Sequence, residues 1–248
     1  MKPIAYAPLA LALLALAACG KQDGAAGNGA AGATAVAGAE APAGKSWTDV
    51  VEATPEGGFR MGNPDAPIKI IEFGSYTCPH CRDFTEAAHE PLERDYVQSG
   101  KVSFEYRNFV RDPLDMVVAL ITRCGGAEPF FPLNLQFFLN QEDMITHIQS
   151  SGEGSYQAAL SAAPNERFIK LAELAGLIEY AKQRGLPEDK VRACLADPKA
   201  PEAIAAAVER DSKQYQITGT PSVVMNGKLL DNVATWDSLA SRLKDAGA

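Results

Sequence analysis

Histidine, cysteine, basic charge and long apolar runs are all scarce in this chain, and each shortage removes a class of function. The 248 residues include only 3 histidines, and His80, His89 and His147 show no ligand spacing. Cys78 and Cys81 are the only closely spaced cysteines among the 5 present. A structural zinc needs four ligands, commonly from two paired motifs, so the sequence disfavours a metal site. Lys and Arg number 23 against 31 Asp and Glu, a formal charge of −8. That excess disfavours phosphate backbones and sets nucleic-acid binding aside. No apolar run reaches the roughly 20 residues that span a bilayer. Internal repeats are absent, and no flavin or nicotinamide site is visible. What remains is 46% hydrophobic and 22% charged, an ordinary globular composition. The length suits one domain with a core, or one domain carrying an inserted subdomain.

Residues 1–18 read as a secretory signal: Lys2 gives a short positive start, and Pro8 to Ala18 is a Leu/Ala-rich run. Leu16-Ala17-Ala18-Cys19-Gly20 resembles the lipobox of bacterial lipoproteins. The resemblance implies cleavage before Cys19 and lipidation of that residue; the alternative is a plain signal peptide in which Cys19 is incidental. Loss of Lys2 with the signal takes the charge from −8 to −9. One acyl chain holds a protein only marginally, whereas several anchor it stably. Bacterial lipoproteins carry three, which implies permanent attachment to the inner or, with Gly20 after the cysteine, the outer membrane. Gly20 to Ser46 follows as an Ala/Gly-rich tether, with 10 Ala and 7 Gly in 27 residues. A flexible coil of that length reaches about 30 Å. Export places the remaining cysteines where disulfides are permitted.

The globular part, 47–248, opens with a short edge strand at Gly58–Gly62 and a turn at Asn63–Pro67. Ile68–Phe73 is β-branched and aromatic, a buried strand. A helix follows Cys-Pro-His-Cys, with Phe84, Ala87, Ala88 and Leu92 on one face and Pro91 bending or interrupting it. Val102–Phe109 alternates as a second strand. Strand, helix and strand form a βαβ unit with parallel strands and a right-handed crossover. From about Asp112 to Gln216 no strand is convincing; Leu114–Cys124, Leu133–Leu139, Glu166–Arg184, Pro187–Leu195 and Pro201–Gln216 read as helices. Ser222–Met225 and Lys228–Leu230 flank an Asn-Gly hairpin turn, and Thr235–Lys244 closes the chain as a helix. The fold class is therefore α/β, a βαβ half and a ββα half split by an all-helical insertion at about 112–200.

Cys78-Pro79-His80-Cys81 sits where a buried strand meets a helix start. The free N–H groups and positive potential of a helix N-terminus favour a thiolate, so Cys78 is the candidate nucleophile. Cys81, one turn along, is placed to resolve a mixed disulfide. His80, by charge or hydrogen bonding, would further favour the Cys78 thiolate and make the disulfide more oxidising. This motif after Ile-Ile-Glu-Phe-Gly-Ser-Tyr-Thr, with Thr220-Pro221 before a hairpin, resembles the DsbA-like family of thiol–disulfide oxidoreductases. The resemblance spans roughly residues 58–248 and implies a thioredoxin-like fold interrupted by a helical subdomain, with Pro79-His80 as the active-site dipeptide.

The same resemblance implies a cis Thr220-Pro221 bond beside the disulfide, with Thr220 pairing with substrate; a proline merely starting a strand is the alternative. It also implies a buried acid at Glu72 that accepts or relays a proton, against a strand-end charge reaching solvent. Arg107 is the candidate basic partner. Cys124 and Cys194 are open to three readings: a structural disulfide, as some DsbA-like proteins have in their helical region, two buried thiols, or part of a metal site. Phe130, Phe131, Phe137 and Phe138 read as subdomain core, His89 and His147 as surface or helix-face residues, and Trp236 as packing for the last helix.

The expected activity is oxidation of reduced exported proteins by a Cys78–Cys81 disulfide, with no cofactor. A membrane quinone-linked partner similar to DsbB would restore the disulfide in a monomeric, lipid-anchored periplasmic protein. A reductase or isomerase is the second reading, although residues 20–57 are too short for the dimerisation domain of isomerases. A redox-inactive binding lipoprotein is the third.

Overall fold

The computed structural model describes residues 35–248. The signal segment, Cys19 and the first part of the Ala/Gly-rich tether lie outside the described residues. The remainder of that stretch lies on the domain rather than apart from it. Val36 N–H donates to Gly247 O at 2.9 Å, and the Trp47 indole donates to Ala39 O at 2.7 Å. A Cβ at Gly38 would fall 2.1 Å from Ser99 O. The approach is therefore open only to glycine, which periodicity could not reveal.

A single turn of 3-10 helix at Trp47–Asp49, capped by Ser46, leads into strands β1 (Val51–Ala53) and β2 (Phe59–Gly62). β3 (Ile68–Gly74), helix α1 (Pro79–Pro91) and β4 (Val102–Asn108) form the parallel βαβ unit. β5 (Ser222–Met225), β6 (Lys228–Leu229) and α10 (Trp236–Asp245) complete the second half. The sheet order is β1-β2-β4-β3-β5-β6. Gly58–Gly62 is thus an internal strand, paired on both sides; the edge is β1. A strand of three residues carries too little alternation to be seen in the sequence.

Pro79 stands at the first position of α1, where its missing N–H costs nothing. At the other end Pro91 closes the α-helical turns, and Leu92–Val97 winds as a π-helix. Phe84, Ala88 and Leu92 are buried beneath α1, but Ala87 is exposed, so the apolar face is narrower than its spacing implies.

Between β4 and β5 the chain is helical as far as Tyr215. The elements are α2 (Pro113–Cys124), α3 (Phe130–Leu139), α4 (Gln141–Ser151), α5 (Glu153–Leu160), α6 (Pro164–Leu174), α7 (Leu177–Lys182), α8 (Glu188–Ala196) and α9 (Lys199–Tyr215). α4 and α5 have no counterpart in the sequence reading; only Gln141 and Met144 of α4 are buried, which leaves little apolar periodicity. The helix expected over Glu166–Arg184 is broken at Gly176, which takes a left-handed conformation (φ +69°). The His147 ring lies 3.0 Å from where a Cβ would sit there, and its Nδ1 lies 3.2 Å from Ala175 O.

One sheet face supports the main core. Ile70 and Phe104 lie opposite each other in register, as do Glu72 and Tyr106. α3 caps this face: Phe130 stacks on Phe59 at 3.9 Å, and Phe131 lies 5.7 Å from Phe104. The four phenylalanines of α3 are all buried. The opposite face carries a smaller cluster of Phe73, Ile217 and Val224. Asp211 of α9 meets Arg107 there at 3.3 Å. No helix among the described residues is long and apolar enough to cross a membrane.

Cys124, at the end of α2, is bonded to Cys194 of α8, with Cα atoms 6.0 Å apart. Of the three readings for this pair, the disulfide is the one realised. Its partners are 70 residues apart, a loop whose closure stabilises by about 4 kcal/mol in the chain-entropy model. Replacing both cysteines by alanine should lower stability in urea unfolding by about 2–4 kcal/mol. Titration of Cys78 should be unchanged in that variant.

Candidate active site

The Ser75–Cys78 loop connects the end of β3 to α1, and its polar groups are held by inserted helices. The Asp115 carboxylate of α2 accepts from Tyr76 N–H at 2.8 Å, from the Ser75 hydroxyl at 2.5 Å and from Arg111 N–H at 3.0 Å. Asp112, the N-cap of α2, accepts from the Thr77 hydroxyl at 2.5 Å. The Tyr76 hydroxyl donates to Asn134 of α3 at 2.6 Å. The Gln141 side-chain amide donates to Tyr76 O at 2.8 Å and Cys78 O at 3.0 Å. Gln141 and Asp115 gave no sequence signal: one lies in an unassigned stretch, and the other looks like an ordinary first-turn helix acid.

Cys78 and Cys81 are unbonded thiols, both buried. Cys78 is the N-cap of α1, in extended conformation. Its thiol is drawn down to about 4, first by the hydrogen bond from Cys81, with Thr220 and the backbone N–H groups of Cys81 and His80 adding to it against the opposing effect of burial. Cys81 is pushed far up by its hydrogen bond to Cys78, by burial and by the nearby Glu72 carboxyl. The pair is therefore polarised, with one sulfur favouring the thiolate and the other the thiol. His80 contributes its backbone N–H; its imidazole is exposed and makes no hydrogen bond with Cys78. The helix terminus, rather than the His80 ring, carries this part of the stabilisation.

The Thr220-Pro221 peptide bond is cis, as the resemblance implied. Thr220 O accepts from the Cys78 thiol at 3.4 Å, and the Thr220 hydroxyl is buried without a hydrogen-bond partner. Once Cys78 ionises, that hydroxyl is available as a donor to the sulfur. The structure thus brings together Cys78, Cys81 and Thr220, whose extremes lie 142 residues apart in sequence.

Glu72 is buried at 2% exposure, not turned to solvent. Burial and the nearby Cys78 raise its carboxyl to about 8. Arg107 is not its partner. In the parallel register Arg107 lies beside Phe73 and Glu72 beside Tyr106, so the two occupy opposite sheet faces. Arg107 instead pairs with Glu105 at 2.7 Å and with Asp211. A cavity of about 30 Å³, enough for one water-sized molecule, lies under α1. Glu72, Thr85, His89, Glu93 and Asn134 line it, and neither Glu72 Oε1 nor the Thr85 hydroxyl has a hydrogen-bond partner. His89 lies 3.0 Å from Glu93, whose hydrogen bond raises the imidazole above its ordinary value.

Beside His80 opens a larger groove of about 270 Å³, lined by Phe84, Ala87 and Trp236, with Asp83 and Asp237 also on its walls. Trp236 meets Tyr96 edge-on at 5.8 Å. Among the described residues no cluster of His, Cys, Asp or Glu has metal-binding geometry.

The family described as Thioredoxin matches residues 54–245. A putative protein-disulfide oxidoreductase of Rickettsia bellii is 26% identical over 174 residues, covering 69% of this chain and 58% of the relative. The chain thus spans little more than half the length of such rickettsial relatives. A probable disulfide bond formation protein D of Bacillus anthracis is 39% identical over 182 residues, covering 72% of this chain and 73% of the relative. Among solved structures, a protein-disulfide isomerase from Novosphingobium aromaticivorans is similar with a TM-score of 0.72 and 33% identity, covering 78% of this chain and 97% of that one. Wolbachia pipientis alpha-DsbA1 shares the fold, with a TM-score of 0.58 and 20% identity over 76% of this chain and 89% of its own.

The Cys78 shift has a definite sign in stability. Its folded value of about 4 lies below the ordinary thiol value of 9.0. The reduced protein therefore holds the full gain above about pH 9 and loses it as pH falls through about 4. Cys81→Ala removes the largest cause and should move the Cys78 midpoint upward, towards 9.0. Thiolate absorbance at 240 nm against pH measures this; an unchanged midpoint would mean the helix terminus suffices alone.

Proposed function

Because the chain belongs to the DsbA-like family of the thioredoxin fold, we propose that it is a thiol–disulfide oxidoreductase that donates a Cys78–Cys81 disulfide to reduced, exported proteins. The observation that carries this reading is the placement of Cys78 at the N-cap of α1, with Cys81 one turn along and Thr220 of the cis Thr220-Pro221 bond against its sulfur; the opposed directions of the two thiols accord with it.

A substrate thiolate attacks the Cys78 sulfur, the Cys78–Cys81 bond breaks, and Cys81 leaves with the electron pair. A second substrate thiolate then attacks the substrate sulfur of the mixed disulfide, and Cys78 departs. The substrate is oxidised by two electrons and the Cys78/Cys81 couple reduced by two. A low thiol pKa makes Cys78 a good leaving group and stabilises the reduced couple, which favours the donor direction. Cys81, whose thiolate is disfavoured, must gain a proton as it leaves. Glu72, whose burial raises its carboxyl and favours the protonated form, is the proposed source. The polar cavity shared by Glu72, Thr85 and His89 is the proposed route by which that proton is replaced.

Substrate would pair with the backbone at Thr220, preceding the cis Pro221, while the groove beside His80 accommodates apolar side chains. Reoxidation falls to a membrane quinone-linked partner similar to DsbB, and no cofactor is required. Lys2, the apolar run and Leu16-Ala17-Ala18-Cys19 support export and lipid attachment through Cys19, placing the protein in the periplasm on the inner or outer membrane. One observation favours a second reading: the Novosphingobium structure similar to this chain is named an isomerase.

Equilibrium with glutathione tests the direction of transfer. A potential near about −120 mV fits a disulfide donor, and one near about −270 mV fits a reductase. Recovery of scrambled ribonuclease without added oxidant would favour the isomerase, and no exchange at all would leave only a redox-inactive binding role. Cys81→Ser should trap mixed disulfides through Cys78; failure to trap any counts against donation.

A separate test addresses Glu72. The rate at which a thiol opens the Cys78–Cys81 disulfide, corrected for attacking thiolate, should fall as pH rises and the buried Glu72 loses its proton, at a midpoint below about 8 because the disulfide has no Cys78 charge to raise it. Glu72→Gln should abolish that inflection and slow the step several-fold at pH 7. A retained inflection in the variant would remove Glu72 from the proton path.

A further inference from the structure

The Ser75–Cys78 loop leaves the sheet at Gly74, and its hydrogen-bonding groups must find partners elsewhere. Apart from contacts within the loop and with its own helix, and the Cys78 thiol bond to Thr220, the described hydrogen bonds of this loop go to α2, α3 and α4. Most of them fix side chains or the first half of the loop. Gln141 differs, because it reaches the reactive residue itself.

We propose that Gln141, the first residue of α4, is a positioning residue for thiol–disulfide exchange at Cys78. This inference rests on the function proposed above and deepens it. Gln141 is 1% exposed. Burying a primary amide is costly unless its donors are used. Both are: one N–H goes to Tyr76 O at 2.8 Å and the other to Cys78 O at 3.0 Å. Two protons meet two carbonyls, and the pair fixes the orientation of the Tyr76–Thr77 and Cys78–Pro79 peptide planes.

The Cys78 carbonyl is also the first acceptor of α1. It takes Cys81 N–H at 3.1 Å and Arg82 N–H at 3.2 Å. Its orientation therefore sets how the N-cap residue joins the helix, and with it the direction of the Cys78 side chain. The backbone N–H groups that lower the Cys78 thiol belong to His80 and Cys81, in this same first turn. Gln141 holds the N-cap so that sulfur and donors are aligned, and it directs the positive end of its amide dipole at the Cys78 peptide. Both effects favour the thiolate. The inserted helical subdomain thus acts on the chemistry through one side chain, without touching either sulfur.

A purely architectural role for Gln141 would alter unfolding of the oxidised and reduced forms alike and leave the ionisation of Cys78 untouched. A positioning role changes the ionisation. The test uses the full-length chain with Gln141→Met, which keeps length and removes both donors, and Gln141→Glu, which is nearly isosteric and brings negative charge to the same carbonyls. Cys78 titration at 240 nm and the glutathione equilibrium are measured for each, alongside thermal unfolding. Gln141→Met should raise the Cys78 midpoint by about one pH unit and lower the equilibrium constant for reduction by glutathione about tenfold. Gln141→Glu should shift both in the same direction and further, and it decides the matter if Gln141→Met does not fold. Wild-type midpoint and equilibrium in a folded variant would overturn the proposal. If the wild-type chain does not exchange with glutathione, the proposed function fails, and the Cys78 titration still decides the role of Gln141.

Discussion

The structure turns on the docking of the helical insertion against the loop that carries Cys78. Asp115 is fully buried, and its carboxylate accepts three hydrogen bonds, two of them from the Ser75–Tyr76 segment. Burial pushes that carboxyl up to about 7, and the same bonds offset the cost by favouring its charged form. Tyr76 extends the joint, its ring 4.7 Å from Phe138 and its hydroxyl bonded to Asn134. A thioredoxin-like half without this joint would leave the active-site loop short of partners for Tyr76 N–H and O. The insertion is therefore part of the framework that holds the Cys78 loop rather than a decoration on it.

On that framework two neighbouring sulfurs acquire opposite character. Cys78 stands at the helix N-terminus, with donors from its own first turn and from Thr220 across the cis peptide bond. Cys81 faces inward, towards the buried Glu72 carboxyl and the core. Thiolate stabilisation at one position and its suppression at the other follow from a displacement of one helical turn. The asymmetry needs no metal or cofactor, because helix terminus, buried acid and hydrogen bonds together supply the electrostatics.

Some of this was legible in order along the chain. Ile68–Phe73, the Cys-Pro-His-Cys segment and Val102–Phe109 announced the βαβ unit by local pattern. Asn226-Gly227 marked the hairpin, where the Asn226 carboxamide also accepts Lys69 N–H at 2.8 Å. The weak points were elements whose pattern is thin. β1 has three residues, α4 buries only Gln141 and Met144, and the α6–α7 break rests on one left-handed residue, Gly176. The last dozen residues of the Ala/Gly stretch looked structureless because close backbone approach favours small side chains, which leave no periodicity.

The sequence by itself determined the chemistry available: a Cys-X-X-Cys pair at a strand-to-helix junction, a distant Thr-Pro, and an acid in a buried strand. These are properties of residue type and local spacing. Only the tertiary structure decided how they are used. Strand register put Glu72 on the core face and sent Arg107 to the other, where Asp211 receives it. Chain folding over 142 residues brought Thr220 to Cys78, and helix packing joined Cys124 to Cys194 and aimed Gln141 at the Cys78 carbonyl. Those pairings depend on long-range packing and on which face of an element is covered, and no local pattern encodes either.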